Sequence, residues 1–292
     1  MKRSKVFLIR SQKVISTQGD IDETKLRQMF QLGCRLIQES SGKRLFQTKE
    51  TLGIKINTLG GKKISTPPSV SLSLAEELDK QFSPRSVIIW DRTNRELREA
   101  GYRLNYRTRG PLVMGTDTRE IGYESELVAQ GNIGSLFSKI QSNMLTSSIS
   151  LAVLKDHGLA GVTAGMKNYF GAIHNPNKYH DNNCDPFIPE LFDCTAISKK
   201  HRISIIDGLV VQYHRGPSFH AQWAHREGVL IFSLDPVAAD YVGWDLIEKL
   251  RSRNGLPSLT EENREPRYLW TAEKMGLGTA SPGGIDLKEE EL

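Results

Sequence analysis

Two kinds of segment alternate along the chain. Positions 6–9, 52–57, 87–90, 149–154, 203–206 and 229–232 read as strands, and 87–90 is a short continuous apolar run of the kind that a strand buried on both faces produces. Positions 22–38 instead carry Leu26, Met29, Phe30, Gly33 and Ile37 at spacings of three and four, one face of a helix. Positions 69–82, stopped by Pro84, read as a second helix, and 237–253 and 267–275 as two more. Asp235 ahead of Pro236 reads as an N-cap followed by proline at the first helical position. The stretch 92–143, rich in Arg, Gly and Thr, predicts a short helix near Glu96 and otherwise loop. The alternation predicts an α/β fold: a mostly parallel sheet flanked by helices, built as a single large domain over 1–280 with a long insertion at about 92–143. Positions 281–292, with Pro282, Gly283, Gly284 and a closing Lys-Glu-Glu-Glu run, are expected to fray as a flexible tail.

Composition narrows the class. Among 292 residues, 38% are hydrophobic and 25% charged, the balance of a globular protein. No window approaches the roughly 20 apolar residues of a membrane span. Val6-Phe7-Leu8-Ile9 is shorter than the about 7–15 residues of a signal-peptide core, so a cytoplasmic location is expected, and a leader removed ahead of residue 1 would leave no trace. Cys34, Cys184 and Cys194 are too few and too scattered for a disulfide framework or an all-cysteine iron–sulfur cluster, so neither is expected. The net charge of +5 is spread over Lys62-Lys63, 92–109 and 199–202, and reads as a solvated basic surface or a preference for anionic ligands. Nothing resembles a nucleic-acid module, and no glycine-rich nucleotide loop or Gly-x-Ser-x-Gly elbow occurs. A small-molecule substrate is the expected partner, with a redox or other protein partner also open.

The chemistry-bearing residues concentrate in one region. All seven histidines fall between His157 and His225. The glycine-loaded stretch 155–168 follows a strand, and the polar loop 174–185 comes next. His157, Lys167, His174, His180 and Lys155 are the candidate catalytic set, because imidazoles exchange protons near neutrality and a neighbouring lysine tunes them. His174, His180 and Cys184 are candidate metal ligands for nickel, iron or zinc, although a separation of six between the histidines suits neither one helical face nor a finger. In parallel α/β sheets ligands gather at strand C-termini. That rule adds Lys55, Asn57, Asp91, Arg92, Thr163, Asn168 and Asp207 as candidate substrate-binding residues, the basic ones suited to a carboxylate or phosphate.

Five segments together resemble the domain-of-unknown-function 362 family along most of the chain: Gly-Ile-Lys-Ile-Asn at 53–57, Ile-Ile-Trp-Asp-Arg at 88–92, Lys-Asp-His-Gly-Leu-Ala-Gly-Val-Thr at 155–163, Asp-Pro-Val-Ala-Ala-Asp at 235–240 and Met-Gly-Leu-Gly at 275–278. Family members that carry cysteine-rich cluster segments or twin-arginine leaders differ from this chain, which has neither. A more remote similarity joins His157, Ala160-Gly161 and Lys167 to the nickel-dependent lactate racemase group. That resemblance implies an acid/base role for His157, a cofactor tether at Lys167, and a metal-side imidazole at His174 or His180. The expected function is an enzyme with a His/Lys acid–base site, metal- or tethered-cofactor-dependent in one version, acting on a small polar or anionic substrate by racemase, epimerase or redox-like chemistry. A metal-binding or redox-accessory protein without turnover, and an anionic-ligand binding module, are the alternatives.

Overall fold

The computed structural model describes residues 3–107 and 109–292; Met1, Lys2 and Thr108 lie outside the described residues. The first half contains β1 (Ser4–Arg10), α1 (Glu23–Ser41), β2 (Thr51–Lys55), α2 (Pro68–Phe82), β3 (Ser86–Asp91), α3 (Asn94–Glu99), β4 (Leu112–Gly115), and a hairpin of β5 (Val128–Gln130) and β6 (Ile133–Ser135). The second half contains β7 (Ser147–His157), β8 (Gly161–Thr163), α4 (Phe187–Asp193), α5 (Thr195–Ser198), β9 (His201–Gln212), β10 (Ala224–Ser233), α6 (Pro236–Arg253), α7 (Tyr268–Lys274) and β11 (Ile285–Glu291). Nine strands form one sheet in the order β11-β1-β10-β9-β7-β2-β3-β4, with β8 paired to β7. The pairs β9/β7, β7/β2, β2/β3, β3/β4 and β1/β11 are parallel, whereas β1/β10, β10/β9 and β7/β8 are antiparallel.

The continuous apolar runs follow from burial on both faces of this sheet. Side chains alternate along a strand. Phe7 and Ile9 therefore enter one core with Leu26, Met29 and Phe30 of α1, while Val6 and Leu8 enter the other with Val237, Leu246 and Ile247 of α6. Val87 and Ile89 divide from Ile88 and Trp90 in the same way. The caps fit the sequence: the Asp22 carboxylate accepts from the Thr24 and Lys25 amides, and Asp235 from those of Val237 and Ala238. Gly33 lets α1 lie flush on β10, since a Cβ there would stand 2.4 Å from Cζ of Phe232. Among the described residues no helix is long and apolar enough to cross a membrane.

Three expectations need correction. The 281–292 segment is not a frayed tail: Ile285–Glu291 runs parallel to β1 from Ser4↔Ile285 to Arg10↔Glu291. Its glutamate-rich sequence has poor strand propensity, but the backbone groups on the free edge of β1 supply the partner. The 92–143 segment is not a loop inserted into a finished sheet, because β4 within it is the edge strand beside β3. Only four residues of β4 pair, too short a run for periodicity to expose. Finally, Asp207 lies inside β9, not at a strand end.

Candidate active site

β7, β2 and β3 are adjacent and parallel, so their C-terminal ends open on one side of the sheet. Lys55 ends β2, Asp91 ends β3, and Lys155 and His157 close β7. A cavity of about 260 Å³ lies over these ends, lined by those four together with Asn57, Arg92, Thr163, Lys167, Asn168 and His180. Ten of the candidate residues therefore converge on one space. Leu59, Glu96, Phe170, Gly171, Pro176, Asn177 and Pro217 complete the wall.

Four cationic side chains (Lys55, Arg92, Lys155, Lys167) face this cavity against two carboxylates, Asp91 and Glu96. Their bonding sorts them by role. Nζ of Lys55 donates to Asp91 Oδ1 at 2.6 Å, the Ile56 carbonyl at 2.7 Å and Asn168 Oδ1 at 3.3 Å, which uses all three of its protons. Asp91 is equally engaged, accepting also from the Thr58 amide, the Thr58 hydroxyl and the Arg92 amide. This pair closes the cavity floor, and only glycine fits above it: a Cβ on Gly171 would lie 2.6 Å from Lys55 Nζ and 2.9 Å from Asp91 Oδ1.

Lys155 is saturated by neutral acceptors. Its Nζ donates to Asn57 Oδ1 at 3.1 Å and to the Leu59 and Ile64 carbonyls at 2.9 and 3.3 Å. With no carboxylate bonded to it, burial lowers its pKa to about 7, helped by the charge of Lys167 and opposed by Asp91. Lys155 thus has no free donor and carries its positive charge in full only below about pH 7. Arg92 gives one guanidinium nitrogen to Glu96 at 2.6 Å, an i,i+4 pair, and its side chain remains 30% exposed. The rest of its donor fork therefore stays accessible.

Lys167 begins a short 3-10 helix over 167–172 and is buried with one hydrogen-bond partner among the described residues, Nε2 of His180 at 3.2 Å. Its Nζ also sits 4.3 Å from the centre of the Phe170 ring. Desolvation lowers its pKa to about 8. His180 Nδ1 lies 3.1 Å from the Pro176 carbonyl, so Nδ1 carries the proton and Nε2 is the bare acceptor facing Lys167. His157 has the opposite tautomer. Its Nδ1 accepts from the Leu159 and Ala160 amides at 3.2 and 3.1 Å, which leaves the proton on Nε2. The two rings stack with centroids 5.7 Å apart. Burial, followed by the charge of Lys167, holds both imidazoles below their ordinary pKa and therefore neutral at pH 7. One imidazole donor, one imidazole acceptor and one amine stand together.

The support comes from farther along the chain. Asp240 of α6 accepts from the Gly165 amide at 2.7 Å, the Met166 amide at 3.1 Å and the Tyr268 hydroxyl at 2.9 Å, fixing the turn that leads into Lys167. Asn168 donates to the Lys55 carbonyl and to Ser150, tying the next residue to β2 and β7. Asp156 bonds Arg264 at 2.8 Å and the Gly216 amide at 2.7 Å, which anchors the end of β7 beside His157. Sequence reasoning missed Asp240, Asp156 and Glu96 as site-building residues. Glu96 had a signal in its spacing from Arg92, Asp240 ends the 235–240 segment and Asp156 stands inside the 155–163 segment, but nothing local marks the distant arginine that bonds Asp156.

Three candidates do not join the group. His174 is exposed and packs edge-on against Tyr123, and it is absent from the cavity wall. Cys184 is buried, its sulfur 4.0 Å from the His180 carbonyl, and its thiol is pushed up by burial. Asp207 lines a separate cavity with Lys62, Lys63 and Ser65, where burial raises it to about 7. The proposed metal set of His174, His180 and Cys184 is thus corrected: among the described residues no three His, Cys, Asp or Glu side chains form a group able to hold a metal ion. His174 projects outward because the chain turns at Asn175-Pro176 into the 3-10 turn that returns His180 inward.

The fold is similar to that in a crystal structure of a protein from Thermotoga maritima, with a TM-score of 0.51 and 11% identity over 78% of this chain. The chain spans 59% of that protein's length, and at this identity the likeness concerns the fold alone. No curated protein matches the chain. The family described as domain of unknown function (DUF362) matches residues 53–245, which include the C-terminal end of β2, all of β3 and β7, and every residue of the cavity wall. On that match, spanning well over half of its length, the chain belongs to the domain-of-unknown-function 362 family.

Proposed function

We propose that the protein is an enzyme acting by proton transfer on a small anionic substrate held in the cavity above β7, β2 and β3. The observation that carries this reading is the tautomer pair beside an amine: His157 presents a proton at Nε2, His180 presents a bare Nε2, and Lys167 bonds the latter. A group that gives a proton and a group that takes one, both neutral at pH 7, are the minimum apparatus for general acid–base catalysis. The excess of positive charge in the wall favours a carboxylate or phosphate, with the free donors of Arg92 binding it and Lys155 stabilising its charge. A cavity of about 260 Å³ suits a compact hydroxy acid or phosphate ester better than a nucleotide. Racemisation or epimerisation at a carbon bearing a hydroxyl fits two differently protonated imidazoles.

The test is deuterium wash-in. A panel of small 2-hydroxy acids and sugar phosphates is incubated with the protein in deuterated buffer, and the carbon-bound proton is followed by NMR. Exchange is expected in at least one compound, falling about 100-fold or more in His157→Ala. Equal exchange in that variant, or none across a panel whose members bind in calorimetry, would overturn proton transfer.

A further inference from the structure

We infer that Lys167 is a carbonyl-reactive amine which forms an imine with a 2-oxo acid bound in the cavity, His180 carrying the proton. The inference rests on the acid–base site proposed above and names a substrate class for it. Three observations on different atoms support it.

The first is valence. Of the three lysines in the wall, Lys55 and Lys155 each spend every proton on protein acceptors, whereas Lys167 has one partner among the described residues, His180 Nε2. The second is the partner's chemistry. Among the described residues no carboxylate bonds Lys167 to lock it as an ammonium, and the bare Nε2 at 3.2 Å is placed to take its proton. The third is its surroundings. Phe170 and the buried protein interior desolvate the amine, consistent with a pKa of about 8, which leaves a usable neutral fraction near neutrality.

The step balances without a further reactant. The Lys167 nitrogen, as the neutral amine, attacks the carbonyl carbon, and His180 carries one N–H proton to the carbonyl oxygen, giving a carbinolamine. His157 lines the same cavity, and its Nε2–H, the proton that its Nδ1 bonds leave uncommitted, is suited to bond the carbonyl oxygen as charge grows there. His180 then carries the second N–H proton to the departing hydroxyl, water leaves, and a C=N bond replaces C=O. The substrate carboxylate meets the free N–H groups of Arg92, with Lys155 close enough to add its charge.

The experiment uses the full chain with pyruvate and, separately, glyoxylate, in the presence of cyanoborohydride. Intact mass is read before and after reduction, followed by peptide mapping, while calorimetry on the same preparation reads binding. One reduced adduct per chain is expected, mapped to Lys167 at least 10-fold above any other lysine and missing from Lys167→Arg. Adducts spread evenly over surface lysines would overturn the inference, as would a group already attached to Lys167 before the probe. Binding of either acid without an adduct also overturns it, yet leaves the anion-binding acid–base site standing. Neither binding nor adduct removes the 2-oxo acid, and the deuterium wash-in on hydroxy acids then decides the underlying reading separately.

Discussion

Lys155 and Lys167 show how the same side chain takes different duties from its acceptors. Lys155 is saturated by one amide and two backbone carbonyls, so removing it leaves three acceptors without their donor, that of Ile64 buried, whereas Lys167 leaves chiefly a histidine nitrogen. The titration of Lys167 can be read through stability. Its folded pKa of about 8 lies below the value near 10.4 of an unfolded lysine. Between those two values the unfolded chain holds more protons than the folded one, so the contribution of Lys167 to stability rises with pH. Below about 8 both states are protonated, and the full cost of burying the ammonium is felt. His157, His180, Lys155 and Cys184 are its electrostatic neighbours. Wild type and Lys167→Met should therefore diverge in wild type's favour between about pH 8 and about pH 10 when urea unfolding is followed across that range. Parallel curves would mean an ordinary lysine. At this scale the sequence was informative because polar residues at strand ends have few structural reasons to be there, as with Lys55 and Asp91. It was uninformative for Gly171, whose need to be glycine depends on the Lys55–Asp91 pair lying beneath it.

Elements decide where those residues point. The turn into Lys167 is held by α6 through Asp240, a contact spanning about 75 positions that no local pattern announces. Burial raises this carboxyl to about 7, a cost accepted because two amides and the Tyr268 hydroxyl all aim at it. Asp240→Asn keeps the shape but offers one acceptor oxygen in place of two, leaving a buried donor unmatched. A loss of about 1–3 kcal/mol is expected in chemical denaturation. If Asp240 is a positioning residue, the same variant should also change the rate at which Lys167 is modified by an amine reagent. An unchanged rate with lowered stability would reduce Asp240 to a structural role. Periodicity located α6 and its Asp235 cap, because both are local facts. The inward face of the helix could not be matched to a turn on another element without the sheet between them.

The order of strands makes the whole molecule a sheet with a cavity-bearing half and a bracing half. β7, β2 and β3 carry the cavity, while β9, β10, β1 and β11 continue the sheet away from it. The C-terminal strand covers the edge of β1, whose alternating Val6, Phe7, Leu8 and Ile9 would otherwise present an open ladder beside a strongly apolar run. Edges of that kind pair with other chains unless they are covered or charged. β11 does both, since Glu289, Glu290 and Glu291 place carboxylates along the new outer edge and are exposed. Helical and strand patterning could not reveal this, because an edge strand needs its backbone more than its side chains. Deleting residues 285–292 should therefore act on the assembly state and global stability while sparing the cavity. The melting temperature is expected to fall by about 5–10 °C, from a loss of about 2–4 kcal/mol in a chain of this size. Light scattering should show self-association that substituting Lys for Phe7 would not cure, because Phe7 faces a core and not the edge. Binding of a cavity anion by the truncated chain at low temperature should stay within about twofold of wild type, since no cavity residue lies on β1, β10 or β11. Loss of that binding in a truncated chain that still melts cooperatively would show that the two halves are coupled, and the division drawn from strand order would have to be abandoned.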